Sequence, residues 1–298
     1  MINHGGELAA LVTAFCWVAT SMSFEAAGKR IGSLTVNFIR LIMAFTMMGL
    51  YLFIRTGAPL PIDAAGKVWL FMGLSGLVGF ALGDLFLFQA FVIVGARISM
   101  LVYASVPIIT GLAGFFFLHE TLGLKDITGM MLTVTGIAVV VLDRNKGKGG
   151  PKNSHFLRGV FFAALGAAGQ AGGLILSKFG MAGYNNPFES NMIRIMAGIT
   201  GFTIIISVMR RWPMVKEAVH DKRGMLFTAS GAFFGPFVGV SFALIAITLT
   251  SAGVASTIMS ITPVLIIVPA ILIYKEKVNV IEIAGAFLAV TGVALLFL

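Results

Sequence analysis

GARISMLVYASVPIITGLAGFFFLHETLGLKDITGMMLTVTGIAVVVL, residues 95–142, is an apolar run with a central Pro107, then a charged corner, then a second apolar run. Shifted by 156 positions, it recurs as SAGVASTIMSITPVLIIVPAILIYKEKVNVIEIAGAFLAVTGVALLFL, residues 251–298. Pro107 falls on Pro263, Glu120 on Glu276, Asp126 on Glu282, Gly129 on Gly285 and Gly136 on Gly292. A bilayer core takes about 20 mainly apolar residues per helix, so each copy reads as two membrane-spanning helices joined by a tight turn.

The repeat extends towards the N-terminus. With the same offset, Gly79 falls on Gly235, Gly83 on Gly239, Ala90 on Ala246 and Ala96 on Ala252. Nearer the start the offset slips by two, so that FIRLIMA, residues 38–44, matches MIRIMAG, residues 192–198, and Arg40 falls on Arg194. The chain is one half written twice: residues 1–142, a linker at 143–156, and residues 157–298.

Composition agrees. The 298 residues are 58% hydrophobic and 11% charged, with a mean hydropathy of +0.99. A soluble domain carries about 25% charged residues, so this chain has too little polar surface for a water-soluble globule. It reads as an all-α integral membrane protein. The net charge of +9 sits between the apolar runs, which points to the membrane surface rather than to nucleic acid. Cys16 is the single cysteine and has no internal disulfide partner. His4, His119, His155 and His220 are scattered without ligand spacing, so no metal or other cofactor is expected. The first apolar run follows MINHGGE, which lacks a basic n-region, and is expected to be retained as a helix.

Ten apolar runs are expected to cross the membrane, at roughly 8–24, 34–54, 68–92, 98–118, 125–142, 157–177, 189–209, 225–248, 254–273 and 280–298. Each half then has five. An odd number makes the second half enter from the opposite side, which gives two inverted five-helix repeats, an arrangement common in secondary transporters. Counting corners from the N-terminus, the odd-numbered ones hold fifteen Lys and Arg and the even-numbered ones hold four. The positive-inside rule therefore places the odd corners in the cytoplasm and both termini outside it. RRWPMVKEAVHDKRG reads as a polar corner, and DRNKGKGGPKNSH as a flexible linker.

Several residues stand out for chemistry. Asp84 lies about ten residues, or roughly 15 Å, from the end of its run. A carboxylate at that depth costs several kcal/mol unless it meets water, a partner or a proton. It is a candidate for proton or cationic-substrate binding, the alternative being an ion pair to another helix. Its repeat partner is Val240, so its chemistry is one-sided. Arg40 and Arg194 lie about two turns into their helices. They are candidates for anion binding or for gating, the alternative being snorkelling to the headgroups. Pro107 and Pro263 are expected to kink their helices. Trp17, Tyr103, Gln89 and Gln170 are polar-tipped residues in apolar runs and candidates for a cavity wall. Gly79 with Gly83, and Gly235 with Gly239, have the spacing of close helix packing. Glu25, Glu120, Glu189, Glu276 and Glu282 fall at helix ends, where solvation is the expectation.

ALGDLFLFQAFVIVGARISMLVYASVPIITGLAGFFFLHE, with Arg40 in FIRLIMA, resembles the EamA-type carriers of the drug/metabolite transporter superfamily. Glu120 and Glu276, and Pro107 and Pro263, match that pattern. The resemblance implies ten helices and export of a small metabolite or drug by alternating access, in a bacterial inner (plasma) membrane, with a small-molecule substrate and the lipid bilayer as partners. Proton coupling through Asp84 is one option. A channel without coupling is the alternative. An intramembrane enzyme fits less well: an aspartyl protease shares a proton between two acids, and no second mid-membrane acid, HExxH or GxSxG occurs.

Overall fold

The computed structural model of the chain describes residues 4–118, 123–146, 154–184, 186–250, 255 and 258–297. Glu120 and the glycine-rich part of the linker lie outside the described residues. The regular structure among the described residues is helical throughout. In the first half the helices are α1 (Gly5–Ile31), α2 (Ser33–Thr56), α3 (Gly66–Gly76), α4 (Asp84–Tyr103), α5 (Val106–Leu118) and α6 (Leu124–Lys146). In the second half they are α7 (Ser154–Met181), α8 (Pro187–Val208), α9 (Trp212–Ala218), α10 (Lys222–Ala232), α11 (Val240–Leu249), α12 (Thr262–Leu265), α13 (Ile267–Tyr274) and α14 (Val280–Phe297). A π-helical segment, Leu77–Gly83, links α3 to α4, and a second, Phe233–Gly239, links α10 to α11. These two segments are 156 positions apart, so even the helix irregularity repeats.

Seven helical runs among the described residues are long and apolar enough to cross a membrane, and Val106–Leu118, Thr262–Tyr274 and Val280–Leu295 are shorter apolar helices. The longest run, Gly66–Tyr103, is two arms, because Gly95 takes φ 84° and ψ 162°, outside the helical region. That glycine lies in the corner expected between the runs 68–92 and 98–118. A side chain is strained at positive φ, and glycine is not. Gly32 (φ 82°) makes the one-residue turn from α1 to α2 in the same way. Large apolar side chains such as Leu50, Ile54, Val208 and Leu272 are exposed, while Leu41, Met48, Met192 and Phe202 are fully buried. An apolar exterior around a packed interior suits lipid contact, where helices satisfy their own backbone groups.

The expected polar corner at RRWPMVKEAVHDKRG is corrected in part, since it contains α9. Its apolar residues explain this: Ala218 is buried and the Trp212 ring meets Phe38 edge-on at 5.4 Å. The prolines are also corrected. Neither kinks a continuous helix. The chain breaks just ahead of each, and Pro107 and Pro263 are the second residues of α5 and α12. In the first turn the missing N–H costs nothing, because that donor has no partner inside the helix anyway.

The halves interleave rather than stand apart. α1 packs on α10 and α11, α2 on α8, α4 on α7, and α6 on α14. The last contact is reciprocal. A Cβ on Gly136 would sit 2.5 Å from the Gly285 carbonyl oxygen, and one on Gly292 would sit 2.6 Å from that of Gly129. Gly129 and Gly285 are repeat partners, as are Gly136 and Gly292, so the same contact is made twice with the halves exchanged. The two helices therefore run antiparallel about a local two-fold axis. The Gly83 contact is equally close, a Cβ on Gly169 lying 2.4 Å from Gly83 Cα. Small residues let these backbones touch.

Candidate functional site

Asp84 is the first residue after the first π segment and is 8% exposed. Its Oδ2 accepts a hydrogen bond from Arg40 Nη2 at 2.5 Å. Arg40 Nε donates to Asn37 Oδ1 at 3.1 Å, and Asn37 Nδ2 donates to the Asp84 carbonyl at 3.0 Å. The Arg40 guanidinium also lies 4.5 Å from the Phe88 ring centroid and 5.4 Å from that of Phe24. Taking both charges out of water costs several kcal/mol per ion, offset only where geometry is good and the remaining donors are satisfied. Here the carboxylate, the amide and the aromatic faces together supply that compensation.

Arg194 holds the matching place in α8. It is 2% exposed, and its guanidinium lies 4.6 Å from the Phe80 centroid. Among the described residues its Nε and Nη2 have no hydrogen-bond partner in the protein. Val240 stands where the first half has Asp84, so no carboxylate comes from that position. Asn191, the counterpart of Asn37, donates to the Pro236 carbonyl at 2.7 Å. π segments inside α-helices often occur at functional sites. Asn-x-x-Arg thus recurs in both halves as NFIR and NMIR, with the amide fastening the π segment region and the arginine beside it. The sequence reading used the arginines and passed over the asparagines, although the repeat carried both.

Two cavities adjoin these residues. The larger, of about 340 Å³, is lined by Trp17, Tyr103, Pro107, Gln170, Arg194, Val240 and Pro263, and reaches Lys178 and Met181 of α7 and Thr248 of α11. The smaller, of about 70 Å³, includes Arg40, Asp84, Phe24, Phe80 and Phe88. Trp17, Tyr103, Gln170 and Val240 line both, so the two adjoin. Of the residues singled out for a cavity wall, Gln89 is elsewhere: its Oε1 accepts from Ser33 Oγ at 2.6 Å and it lines neither cavity.

The end opposite Lys178 and Thr248 is closed by charges. Glu25 pairs with Lys29, and its Oε2 accepts from the Ala96 N–H at 2.6 Å, directly after the Gly95 turn. Arg97 Nε donates to Glu276 Oε2 at 2.9 Å, and Arg97 also pairs with Glu282. Tyr274 Oη donates to the Met22 carbonyl at 2.8 Å. Glu25 is 3% exposed and Glu282 4%, so the expectation that these acids are solvated is corrected. Converging corners bury them, and pairing makes the burial tolerable. The available signal was that Glu25, Arg97 and Glu276 all belong to odd-numbered corners.

Comparison with known proteins bears on this arrangement. A model described as the EamA-like transporter family matches residues 4–142 and again residues 157–298. A solved structure described as "Crystal structure of protein" is 16% identical, with a TM-score of 0.62, and the match covers 97% of this chain and 95% of that one. At that identity the likeness is one of fold. No curated protein matches.

Proposed function

We propose, from the premise that the chain belongs to the EamA-like transporter family, that it is a secondary carrier exporting a small organic metabolite or drug by alternating access. Its apolar runs form ten spans in two inverted halves, cut at the Gly95 turn. The antiparallel, reciprocal contact of α6 with α14 supports that reading, because a two-fold axis across antiparallel spans lies in the membrane plane. With the odd corners in the cytoplasm, the larger cavity opens away from the cytoplasm.

One observation carries the carrier reading over a channel. The cavity, lined by both halves, reaches the ends of α7 and α11, while the other end is closed by the Arg97, Glu276 and Glu282 cluster and by the Glu25 contact. A carrier closes one end while the other is open. Asp84, on the wall of the smaller cavity, is the residue through which a proton enters the cycle, by exchanging its bond to Arg40 for one.

Cysteine labelling tests this. In a Cys16→Ala background, Thr248→Cys lies on the larger cavity and Ser21→Cys, at a buried position, on the smaller one. A membrane-impermeant thiol reagent should modify Thr248→Cys from one side only. Adding Arg97→Gln should slow that reaction and expose Ser21→Cys to the other side. Reaction of Thr248→Cys at equal rates from both sides in the parent would establish a continuous pore and reject the carrier.

A further inference from the structure

We propose that the larger cavity takes a small organic monoanion, a carboxylate on an aliphatic body, and that Arg194 holds the carboxylate. This rests on the carrier reading and gives its substrate class. The two repeat-related arginines are chemically unequal. Arg40 is neutralised by Asp84, whereas Arg194 keeps buried Nε and Nη2 donors without a partner among the described residues. A guanidinium stays charged at any physiological pH, so the site carries a fixed positive charge. Its planar fork matches a carboxylate in bidentate geometry.

The walls narrow the class. Among the described residues no Asp or Glu lines the larger cavity, and Lys178 adds a second positive charge towards its mouth. A cationic substrate would meet like charge from both of these side chains. Leu174, Val240, Leu244, Ile247 and Met259 make the rest of the wall apolar, which suits a hydrocarbon body. Gly79 keeps the approach clear, since a Cβ on it would sit 3.3 Å from Arg194 Nη2 and 3.7 Å from Gln170 Oε1. The clearance leaves the Gln170 amide beside the guanidinium, and it hydrogen-bonds the second face of the bound group. One buried cation balances one negative charge, which selects a monoanion over a phosphate ester.

Calorimetric titration of the full chain in lipid nanodiscs tests this with four probes that share one branched body: isovalerate, isovaleramide, isoamylamine and isoamyl phosphate. Isovalerate should bind saturably, at least tenfold more tightly than the amide, and the amine should not bind. Arg194→Gln should erase the preference for acid over amide, and Arg194→Lys should keep part of it. Val240→Asp, which leaves Arg194 in place and puts a carboxylate on the same wall, should also abolish isovalerate binding. Equal affinity for acid and amide, or unchanged acid binding by Arg194→Gln, would overturn the site. Tighter binding of isoamyl phosphate would overturn the carboxylate class. The assay needs no transport, so it fails separately from the carrier reading: one-sided labelling at Thr248→Cys without anion preference rejects only the site, and anion binding with two-sided labelling rejects only the carrier.

Discussion

Arg40 and Arg194 occupy matching places in two copies of one sequence, each three residues after an asparagine and each beside a π segment. Phe80 lies against both guanidiniums, at 5.7 Å and 4.6 Å. Their fates diverge at one further position, where the first half has Asp84 and the second Val240. The first arginine is thereby paired with a carboxylate beside the smaller cavity, and the second keeps donors without a partner among the described residues, on the wall of the larger one. A duplicated framework supplies two equivalent arginines, and a single difference in the partner position leaves one paired with a carboxylate and the other not.

The sharpest way to break this comparison is to make the halves alike. Asp84→Val leaves Arg40 as Arg194 is, but against three aromatic rings and a cavity of only about 70 Å³. Removing one partner of a buried pair costs about 3–5 kcal/mol. The thermal midpoint of the purified protein should fall accordingly, and Asp84→Val with Arg40→Met should recover most of the loss, because an apolar pair replaces an ionic one at little cost. A stable single variant would show that Arg40 never depended on Asp84.

A third arginine gives a smaller effect. Arg97 has two acidic partners, Glu276 and Glu282, and the former side chain is 28% exposed. Arg97→Met leaves two carboxylates facing each other at the closed end. The expected loss is about 3 kcal/mol, the low end for a buried charge left without its partner. Water reaches Glu276, so the loss should be less than for Asp84→Val. A loss equal to or larger than that of Asp84→Val would place the principal electrostatic support of the fold at the closed end.

The sequence made part of this legible. Repeats are printed directly, so the two halves, their offset, Asp84, and the two arginines needed no structure. The positions of α1, α2, α7 and α8 followed from apolar length. The Arg97 cluster did not, because its partners are 179 and 185 positions away and a single chain gives no sign of which corners converge. Gln89 illustrates a second limit: a lone polar residue in an apolar helix does not reveal the helix rotation, and this one faces Ser33. The π segments were hidden for a third reason. Gly79 and Gly83 of the first lie against α7 and Gly235 and Gly239 of the second against α1, so both sit in packing between halves, which local propensity does not show.

The smallest effect comes from the same pair of residue types placed in water. Arg30 Nε donates to Asp221 Oδ2 at 3.0 Å, at the start of α10, where Asp221 Oδ1 also accepts the Gly224 N–H at 2.9 Å as the helix cap. The Gly224 N–H first, and the Arg30 guanidinium after it, hold the Asp221 carboxyl below its usual range. A depressed acid contributes stability above its unfolded pKa of about 4 and loses it as pH falls through the folded value. Asn is itself a good cap, so Asp221→Asn keeps the bond to Gly224 and removes only the charge. At neutral pH the variant should therefore unfold at a slightly lower temperature than the parent, and the two midpoints should converge as the buffer is taken to about pH 3, where the parent's carboxyl is increasingly protonated. Salt should shrink the neutral-pH difference, since exposed charges are screened over about 10 Å at 0.1 M. Asp221→Ala, which loses the cap as well, should remain less stable than the parent even in acid. A neutral-pH loss for Asp221→Asn as large as that for Asp84→Val would mean that burial is not what separates the two pairs, and the contrast drawn between Arg40 and Arg194 would lose its physical basis.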